Sequence, residues 1–496
     1  MVRVASGHQV SYSNCSEKHE LKSQDIIKSA NRIEYCPINR FYKDGRGIVY
    51  YYDDHDVLAH TLLCNWSKGK MHGKGYLYDV KKGSFVSILT FCDDFLVGEV
   101  DFCIDEYAHS IIDATDGSRW EGPCRDGKAY GRGMIYSESN NPCYFGWCVD
   151  DERCGFGTVY YDLPGEELVP SIEGYWFHDA LYGPVEHFDY HGDHTNTSIM
   201  IAGKDIGEHL VYFPNDPLLL YSFVKIVQIE SNYGTDEVSV FDMSSCTQLV
   251  ELHIGSNCFP KVRGFMIKDL RFLRSVVIEK DSFTSCNRLD NNPWTEPNPR
   301  EIKINRQSLK VCNCPSLTEF YCEEGCFSSF LSFTMFDLPS LRTLRIGIVS
   351  EEEQFEQGSW SFFWCPTVHI RHFPSLETCE FGNYSFYFSY AFQIEDCANL
   401  HHLRFGNHSF CNYNRKAANA VFRNLPLLQE LEFFNESFFN CNRVHLIDLG
   451  TEDVHVDLHT NTFWNLKRIV SQSVNPTILN SFYIERQYQP SIVKSK

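Results

Sequence analysis

The chain has 496 residues, 43% of them apolar and 15% aromatic, which excludes an intrinsically disordered protein. Its formal net charge of −21 argues against a nucleic-acid-binding protein, which needs clustered Lys and Arg, and against general adhesion to anionic membranes. No apolar stretch has the length of a signal-peptide core or a membrane-spanning helix. We therefore expect a soluble, cytoplasmic protein, and its 21 cysteines to be buried thiols in a reducing compartment rather than a disulfide framework.

Residues 1–43 are polar and poorly patterned, which predicts a mobile or loosely docked leader. A repeat built on glycine and aromatic residues occupies residues 44–190. Its clearest copies, W-E-G…G-R-G-M-I-Y and Y-F-G-W…G-F-G-T-V-Y, lie at 120–136 and 144–160. A G-x-G step followed by alternating apolar residues predicts a tight turn that enters a β-strand, since glycine adopts positive φ without steric cost.

These copies resemble the MORN repeat (membrane occupation and recognition nexus), whose usual form is Y-x-G-x-x-x-x-G-x-x-x-G-x-G. The resemblance covers residues 44–190 and implies an antiparallel sheet of hairpins that serves in assembly rather than in catalysis. The copy near residues 95–98 keeps one glycine and lacks the G-x-G step, so we expect the sheet to be distorted there.

A local basic cluster lies in the first well-formed glycine repeat. Its members are Lys68, Lys70, His72, Lys74, Lys81 and Lys82. Such a cluster can pair with acidic phospholipid headgroups, which makes Lys68, Lys70 and Lys74 candidate lipid-binding residues. The alternative is a solvated strand face in an otherwise acidic protein.

Two further segments of the glycine repeat suggest ligand chemistry. Residues 122–129 nearly match the phosphate-binding pattern G-x-x-x-x-G-K-[ST], but the segment ends in Ala129 and another hairpin signal follows it, which favours a glycine repeat. On a strand, His187, Asp189 and His191 would share one face, and Asp193 or His194 would complete a divalent-metal site. The alternative is the polar, unliganded end of the sheet.

Residues 191–235 are predicted to be a junction, and a second repeat domain follows over residues 236–470. Counting from an anchor leucine, apolar residues recur at −8, −6, −3, +3, +5 and +10. Seven leucines fit this frame: Leu249, Leu273, Leu317, Leu341, Leu376, Leu400 and Leu428. The −6 column contains Met243, Ile267, Val311, Met335, Ile370, Ile394 and Phe422, and the +5 column contains Ile254, Ile278, Cys322, Ile346, Phe381, Phe405 and Phe433. Apolar columns held over seven copies predict a solenoid.

The copies read L-x-x-L-x-[IF]-G-x-x-S-F, which resembles leucine-rich repeats of the short bacterial and protist type. The asparagine ladder of ordinary leucine-rich repeats is missing, so the pattern does not require a horseshoe with outer helices. Because −8 alternates with −6 and +3 with +5, we expect two short strands per repeat. Insertions at 284–300 and 351–360 should form loops on one face, and residues 471–496 a polar, frayed tail.

The cysteines at positions 312, 314, 322 and 326 have a spacing that suggests zinc. Three of them, Cys314, Cys322 and Cys326, occupy buried columns of the repeat, which favours a structural role.

We predict a mainly β protein, an antiparallel MORN-like hairpin sheet followed by a leucine-rich-repeat-like β-solenoid. Resemblance to both repeat families implies a non-catalytic scaffold that binds protein partners through the exposed faces of the two arrays. We assign no catalytic residue, metal or cofactor and no nucleic-acid partner. The alternative is a peripheral membrane adaptor in which the lysine cluster contacts phospholipid, and an enzyme is the third possibility.

Overall fold

The computed structural model describes residues 22–29, 31–39, 41–102, 108–163, 168–234, 238–284, 307–350, 360–412, 417–451, 453–482 and 491–494. The protein is mainly β, with 51% of its residues in strands and 3% in helices. Antiparallel sheets form the N-terminal part, and a parallel β-solenoid of about 9 turns follows. The predicted fold class is therefore confirmed.

A first antiparallel sheet has the strand order β1-β4-β5-β7-β8-β9, and β6 pairs with β5. The first elements are α1 (Lys22–Lys28), β1 (Arg32–Tyr35), β2 (Pro37–Asn39), β3 (Tyr42–Lys43), β4 (Gly45–Tyr52), β5 (Leu58–Ser67), β6 (Lys70–Met71), β7 (Gly73–Asp79), β8 (Ser84–Cys92) and β9 (Phe95–Asp101). Each long strand pairs with the next one along the chain, so this sheet is a meander of hairpins, as G-x-G steps at strand entries predict.

A second antiparallel sheet continues the meander in the order β10-β11-β13-β14-β15-β16-β17-β18-β19, and β12 pairs with β11. Its strands are β10 (His109–Asp113), β11 (Arg119–Arg125), β12 (Lys128–Ala129), β13 (Gly131–Tyr136), β14 (Pro142–Val149), β15 (Glu152–Tyr160), β16 (Pro170–Phe177), β17 (Ala180–Phe188), β18 (His194–Ile201) and β19 (Lys204–Asp205). The chain passes from one sheet to the other immediately after β9, which carries the degenerate glycine copy. The expected distortion is thus a break between two sheets.

The two antiparallel sheets pack face to face through a core of aromatic side chains. Tyr50 of the first sheet meets Tyr175 of the second edge to face, with ring centroids 5.5 Å apart. Phe85 and Trp147 make a similar contact at 5.2 Å. Such pairs contribute roughly 0.5–1.5 kcal/mol beyond the burial of their area. Aromatic residues at alternate strand positions therefore join the sheets.

On the other face of the second sheet, glycines form a row across neighbouring strands. Gly133, Gly146, Gly157 and Gly174 lie directly opposite one another on β13 to β16. A Cβ atom at Gly133 would lie 2.5 Å from the ring of Trp120, and one at Gly157 would lie 2.3 Å from the Tyr144 hydroxyl. Each aromatic ring lies over the glycines of adjacent strands, which explains why the repeat couples an aromatic residue to glycine.

The antiparallel region joins the solenoid through a buried contact. Strands β2 and β3 form a small sheet with β21 (Leu220–Tyr221). The hydroxyl of the fully buried Ser222 donates a hydrogen bond to the carbonyl of Glu34 and accepts one from the amide of Cys36. Phe41 packs against Phe241 at 5.5 Å. Among the described residues, regular structure thus begins with α1 at Lys22, inside the segment that the sequence assigns to a loosely docked leader.

One side of the solenoid is the long parallel sheet, whose strands follow one another in chain order. They are β20 (His209–Tyr212), β22 (Ile226–Ile229), β24 (Glu251–Ile254), β26 (Ser275–Ile278), β28 (Glu319–Cys322), β30 (Thr343–Ile346), β32 (Thr378–Phe381), β34 (His402–Phe405), β36 (Glu430–Phe433) and β38 (His455–Leu458). This sheet begins within the segment predicted to be a junction.

The opposite side consists of two shorter parallel sheets. The four-stranded one contains β23 (Val240–Asp242), β25 (Gly264–Lys268), β27 (Ser308–Cys312) and β29 (Ser332–Phe336). The six-stranded parallel sheet contains β31 (Thr367–Arg371), β33 (Ala391–Glu395), β35 (Ala418–Leu425), β37 (Cys441–Leu449), β39 (Arg468–Val474) and β40 (Ser491–Lys494). The boundary between them falls at the acidic insertion, residues 351–359, which lies outside the described residues.

Residues that share a column of the sequence repeat lie next to one another on adjacent strands of the solenoid. Ile254 lies directly opposite Ile278, and Phe381 opposite Phe405, so the +5 column is one row of buried side chains. At the corner after each of the last eight strands of the long sheet, a phenylalanine that follows Ser, Cys or Thr stacks on its neighbours at 4.9–5.3 Å. The stacked residues are Phe259, Phe283, Phe327, Phe362, Phe386, Phe410, Phe438 and Phe463. The predicted repeat and solenoid are confirmed.

The C-terminal segment packs against the last turns of the solenoid. Helix α2 (Pro476–Ser481) begins with Asn475 as its N-cap, and Ile478 is fully buried. Phe482 is also buried and contacts Phe463 at 5.2 Å. The expectation of a frayed tail is therefore wrong for residues 471–482. Within the described residues, no helix is long and apolar enough to cross a membrane.

Candidate interaction surfaces

Lys68, Lys70 and Lys74 lie together at one end of the first antiparallel sheet. Lys68 and Gly69 have φ of 50° and 87° and form the turn between β5 and β6, while Lys74 lies on β7. All three side chains are exposed, and none forms a salt bridge with a described residue. The predicted lipid-binding residues therefore share one exposed surface, named here the lysine surface.

The rest of the basic cluster is separated from the lysine surface or paired with acid. Lys81 and Lys82 follow the far end of β7, roughly 23 Å away along a strand of this length, and Lys82 pairs with Asp79 at 3.5 Å. Next to the lysine surface, His72 lies 3.8 Å from Asp93. The six-residue cluster seen in the sequence is thus a smaller patch with acidic neighbours.

The histidine-rich segment after residue 186 forms a hairpin end. The Asp189 carboxylate accepts hydrogen bonds from the backbone amides of His191 and Asp193 at 2.9 and 3.0 Å, and these bonds hold its pKa below the usual value. His187 lies 2.7 Å from the Ser198 hydroxyl. Among the described residues, no three His, Cys, Asp or Glu side chains are arranged to hold a metal ion. The carboxylate therefore has a structural role as the cap of the turn.

The other two sequence candidates are also structural. Residues 122–129 form the β11–β12 hairpin, with positive φ at Asp126 and Gly127, rather than a strand–loop–helix unit that cradles phosphate. Cys314 and Cys326 are fully buried, and their thiols donate to backbone carbonyls of Cys312 and Glu279 at 3.4 and 3.1 Å. Burial raises the pKa of Cys314 to about 11, which keeps this thiol protonated as the hydrogen-bond donor.

The long parallel sheet presents a continuous outward face. In nearly every strand the second and fourth residues are buried, while the first and third point outward. In the third position a row of alternating charge, named here the charged ladder, contains Arg345, Glu380, Arg404 and Glu432. Arg345 and Glu380 are 3.0 Å apart, and Arg404 lies 3.6 Å from Glu380 and 2.6 Å from Glu432. Charges in the charged ladder therefore pair with one another.

The outward face of the six-stranded parallel sheet has a different balance. Arg443 lies directly opposite Arg468 on the neighbouring strand, and His445 lies between Val421 and Val470. With Arg423 on β35, these residues form what is named here the arginine cluster: Arg423, Arg443, His445 and Arg468. Sequence reasoning missed it because Arg443 and Arg468 follow the last of the seven anchor leucines. Extending the frame by two copies, which begin near Val444 and Ile469, would have aligned them.

Both predicted insertions lie largely outside the described residues, which omit 285–306 and 351–359. Their proposed role as loops on one face is therefore a prediction that the structure does not address.

The geometry defines a β-solenoid protein with an N-terminal region of antiparallel sheets. Comparison of the chain with models of known protein families and with curated protein sequences found no match.

Proposed function

We propose that this protein is a non-catalytic scaffold that binds protein partners through the exposed faces of its repeat arrays. The outward face of the long parallel sheet carries this proposal, because ten strands in register present two continuous columns of outward side chains. Solenoids typically use such extended faces for binding. The resemblance of the two arrays to MORN and leucine-rich repeats supports the same reading, as does the coupling of aromatic rings to glycines in the first array.

As part of the same proposal, we place the protein in the cytoplasm. Of the 18 described cysteines, all are free thiols and 15 are buried. Buried free thiols at this number fit a reducing compartment such as the cytoplasm.

The test uses the full-length chain, because Ile38 and Phe41 of the N-terminal part belong to the solenoid core and isolated fragments would expose it. Proteins captured from native extract are identified, and their binding is then measured with purified components. One variant carries arginine at three outward positions of the long sheet: Ser275→Arg, Thr343→Arg and Thr378→Arg. Its matched control carries Ser332→Arg and Thr367→Arg on the opposite side.

If the long sheet binds the partner, the first variant loses affinity and the control keeps it, while both retain the unfolding temperature of the unchanged chain. A partner that binds both variants equally would remove the long sheet from the proposal. Failure of every captured protein to bind in purified form would contradict the scaffold function itself.

The second candidate function is a peripheral membrane adaptor, and the exposed, unpaired state of Lys68, Lys70 and Lys74 favours it. Acidic headgroups attract clustered lysines at about 1 kcal/mol per residue near the surface. Charge reversal of the three lysines should abolish sedimentation with vesicles of phosphatidylcholine and phosphatidylinositol 4,5-bisphosphate. Reversal at Lys81 and Lys82 is the matched control. Vesicle binding that survives the first change would contradict this alternative.

A further inference from the structure

The arginine cluster concentrates positive charge on adjacent strands of an acidic protein. Arg443 and Arg468 are directly paired in register on β37 and β39, and neighbouring strands are about 4.8 Å apart. Arg423 lies on β35 opposite Ile447, four residues or roughly 13 Å along the strand from Asn419, which is the residue opposite Arg443. Arg423, Arg443 and Arg468 are exposed, so three guanidinium groups face solvent within the width of three strands.

Among the described residues, one carboxylate lies within salt-bridge distance of this cluster, and within the cluster it contacts Arg423 alone. Glu395 lies 2.9 Å from Arg371 and 3.5 Å from Arg423, so one carboxylate serves two guanidinium groups. Arg443 and Arg468 form no salt bridge with any described residue. Like charges directly opposite each other on a sheet are destabilising. The charged ladder on the opposite side of the same solenoid shows the contrasting arrangement, in which every arginine has its own neighbouring glutamate.

His445 lies at the centre of the cluster and adds a neutral polar group. Burial lowers its pKa, and the charges of Arg443, Arg423 and Arg468 lower it further, so the imidazole is neutral at pH 7. A neutral imidazole offers one N–H donor and one acceptor nitrogen. Val421 and Val470 flank it on the same face and offer apolar contact beside the charges.

Resting on the proposed scaffold function, we propose that the arginine cluster binds the phosphate group of a phosphoserine or phosphothreonine in a protein partner. A phosphate monoester carries nearly two negative charges and three acceptor oxygens, and guanidinium groups bind such anions with paired hydrogen bonds. The adjacent guanidinium groups of Arg443 and Arg468 can share one phosphate, with His445 beside them and Arg423 farther along the same face. Phosphopeptide recognition by clustered arginines is an established mode of binding.

Two observations favour a peptide over a membrane or a nucleic acid. The cluster spans three strands, roughly 10 Å, and four residues along them, roughly 13 Å, whereas membrane and nucleic-acid surfaces demand a broad basic area. The chain as a whole carries −21 charges, which oppose the approach of an extended anionic surface. A single phosphate on a flexible segment reaches the cluster without bringing other negative charge.

The test measures binding of a degenerate peptide library with a fixed central phosphoserine to the full-length protein. The same library with serine, and with aspartate, at that position provides the comparison. We expect binding of the phosphoserine library alone, weakened about tenfold or more in the double variant Arg443→Gln/Arg468→Gln, since charge-assisted hydrogen bonds are lost. Arg443→Lys, which keeps the charge without the bidentate geometry, should bind with intermediate affinity. Arg345→Gln is the matched control on the opposite side.

Equal binding of phosphoserine and serine libraries, no binding at all, or unchanged binding by the double variant would overturn the proposal. Sedimentation with equimolar phosphatidylcholine–phosphatidylserine vesicles, lost in the double variant, would assign the cluster to a membrane instead. Removal of unpaired like charges should not lower the unfolding temperature, so loss of binding would not reflect misfolding. If captured partners still bind the long sheet while phosphopeptides do not, this inference fails and the scaffold function stands.

Discussion

The antiparallel region and the solenoid use aromatic residues in opposite ways. In the antiparallel region, rings from distant hairpins meet across two sheets, as Tyr50 and Tyr175 do, and each contact is individual. In the solenoid, Phe386 stacks between Phe362 and Phe410 at 5.1 and 5.3 Å, and the same contact recurs in successive turns. Parallel strands in register place the same residue of each repeat next to its counterpart, so one stacking contact recurs along the solenoid. Two packed antiparallel sheets have different faces, so each contact between them involves a different pair of residues.

This difference places the sensitive positions of each region in different residue types. In the solenoid, removal of a stacked ring leaves a cavity in a continuous core. In the antiparallel region, addition of a single methyl group at a glycine under an aromatic ring displaces that ring. Substitutions at both kinds of position test this contrast, beginning with the largest expected loss of stability.

The largest effect is expected for Phe386→Ala in the middle of the phenylalanine stack. Phe386 is fully buried, and phenylalanine-to-alanine changes in cores lower the free energy of unfolding by about 3–5 kcal/mol. Urea denaturation of both proteins, followed by circular dichroism, measures the difference. Phe336→Ala is the control, because that ring is 39% exposed and should cost less than about 1 kcal/mol. Similar losses for the two variants would show that the stack has no special role.

The next effect is expected for Gly133→Ala in the glycine row. The added Cβ would lie 2.5 Å from both the Trp120 ring and the Glu121 carbonyl oxygen, so the sheet or the ring must move. Overpacking of this kind costs about 1–3 kcal/mol. Gly98→Ala is the matched control in the degenerate copy, where the nearest atom lies at an ordinary 3.5 Å. If thermal unfolding shows equal stability for the two variants, the ring-over-glycine explanation of the repeat is wrong.

A smaller change is expected for Ser222→Ala at the contact between the two regions. The substitution leaves the carbonyl of Glu34 and the amide of Cys36 without this buried partner, at a cost of about 1–2 kcal/mol. Hydrogen exchange followed by mass spectrometry should show faster exchange in both β4 and β22. Ser67→Ala, at an exposed position on β5, is the control. Faster exchange confined to one region would show that the two regions unfold independently.

The solenoid was predictable because residues at the same position of successive repeats lie next to one another on adjacent strands. The residues in the +5 column, such as Ile278 and Cys322, lie opposite one another on adjacent strands. The face-to-face packing of the two antiparallel sheets was not predictable, because the pattern of a hairpin repeat does not indicate which face of one sheet contacts the other sheet. The packed leader was missed for the same reason, because Cys36 and Ile38 are buried by contacts with residues far along the chain.

The candidate sites, too, could be predicted only where their residues are close in sequence. Lys68, Lys70 and Lys74 are close in sequence and also in space, because a tight turn and the next strand connect them. Lys81 and Lys82 are equally close in sequence but lie at the opposite end of a strand. Arg443 and Arg468 are 25 residues apart and adjacent in space, which only the register of the solenoid reveals.

The smallest effect is expected for Arg404→Gln in the charged ladder. Arg404 lies between Glu380 and Glu432 and is one-third exposed, so its loss should cost roughly 0.3–1 kcal/mol. The difference should shrink in high salt, because counterions screen exposed charges. The control is Arg342→Gln, since Arg342 is 64% exposed and contacts Glu377 alone, at 3.6 Å.

Urea denaturation at low and high salt measures both variants. A loss that is larger for Arg404 and sensitive to salt would show that charge alternation stabilises the long sheet beyond its buried columns. A loss equal to that of Arg342, or insensitive to salt, would mean that the solenoid depends on its apolar ladders alone. In that case the outward positions of the long sheet would be free to serve binding.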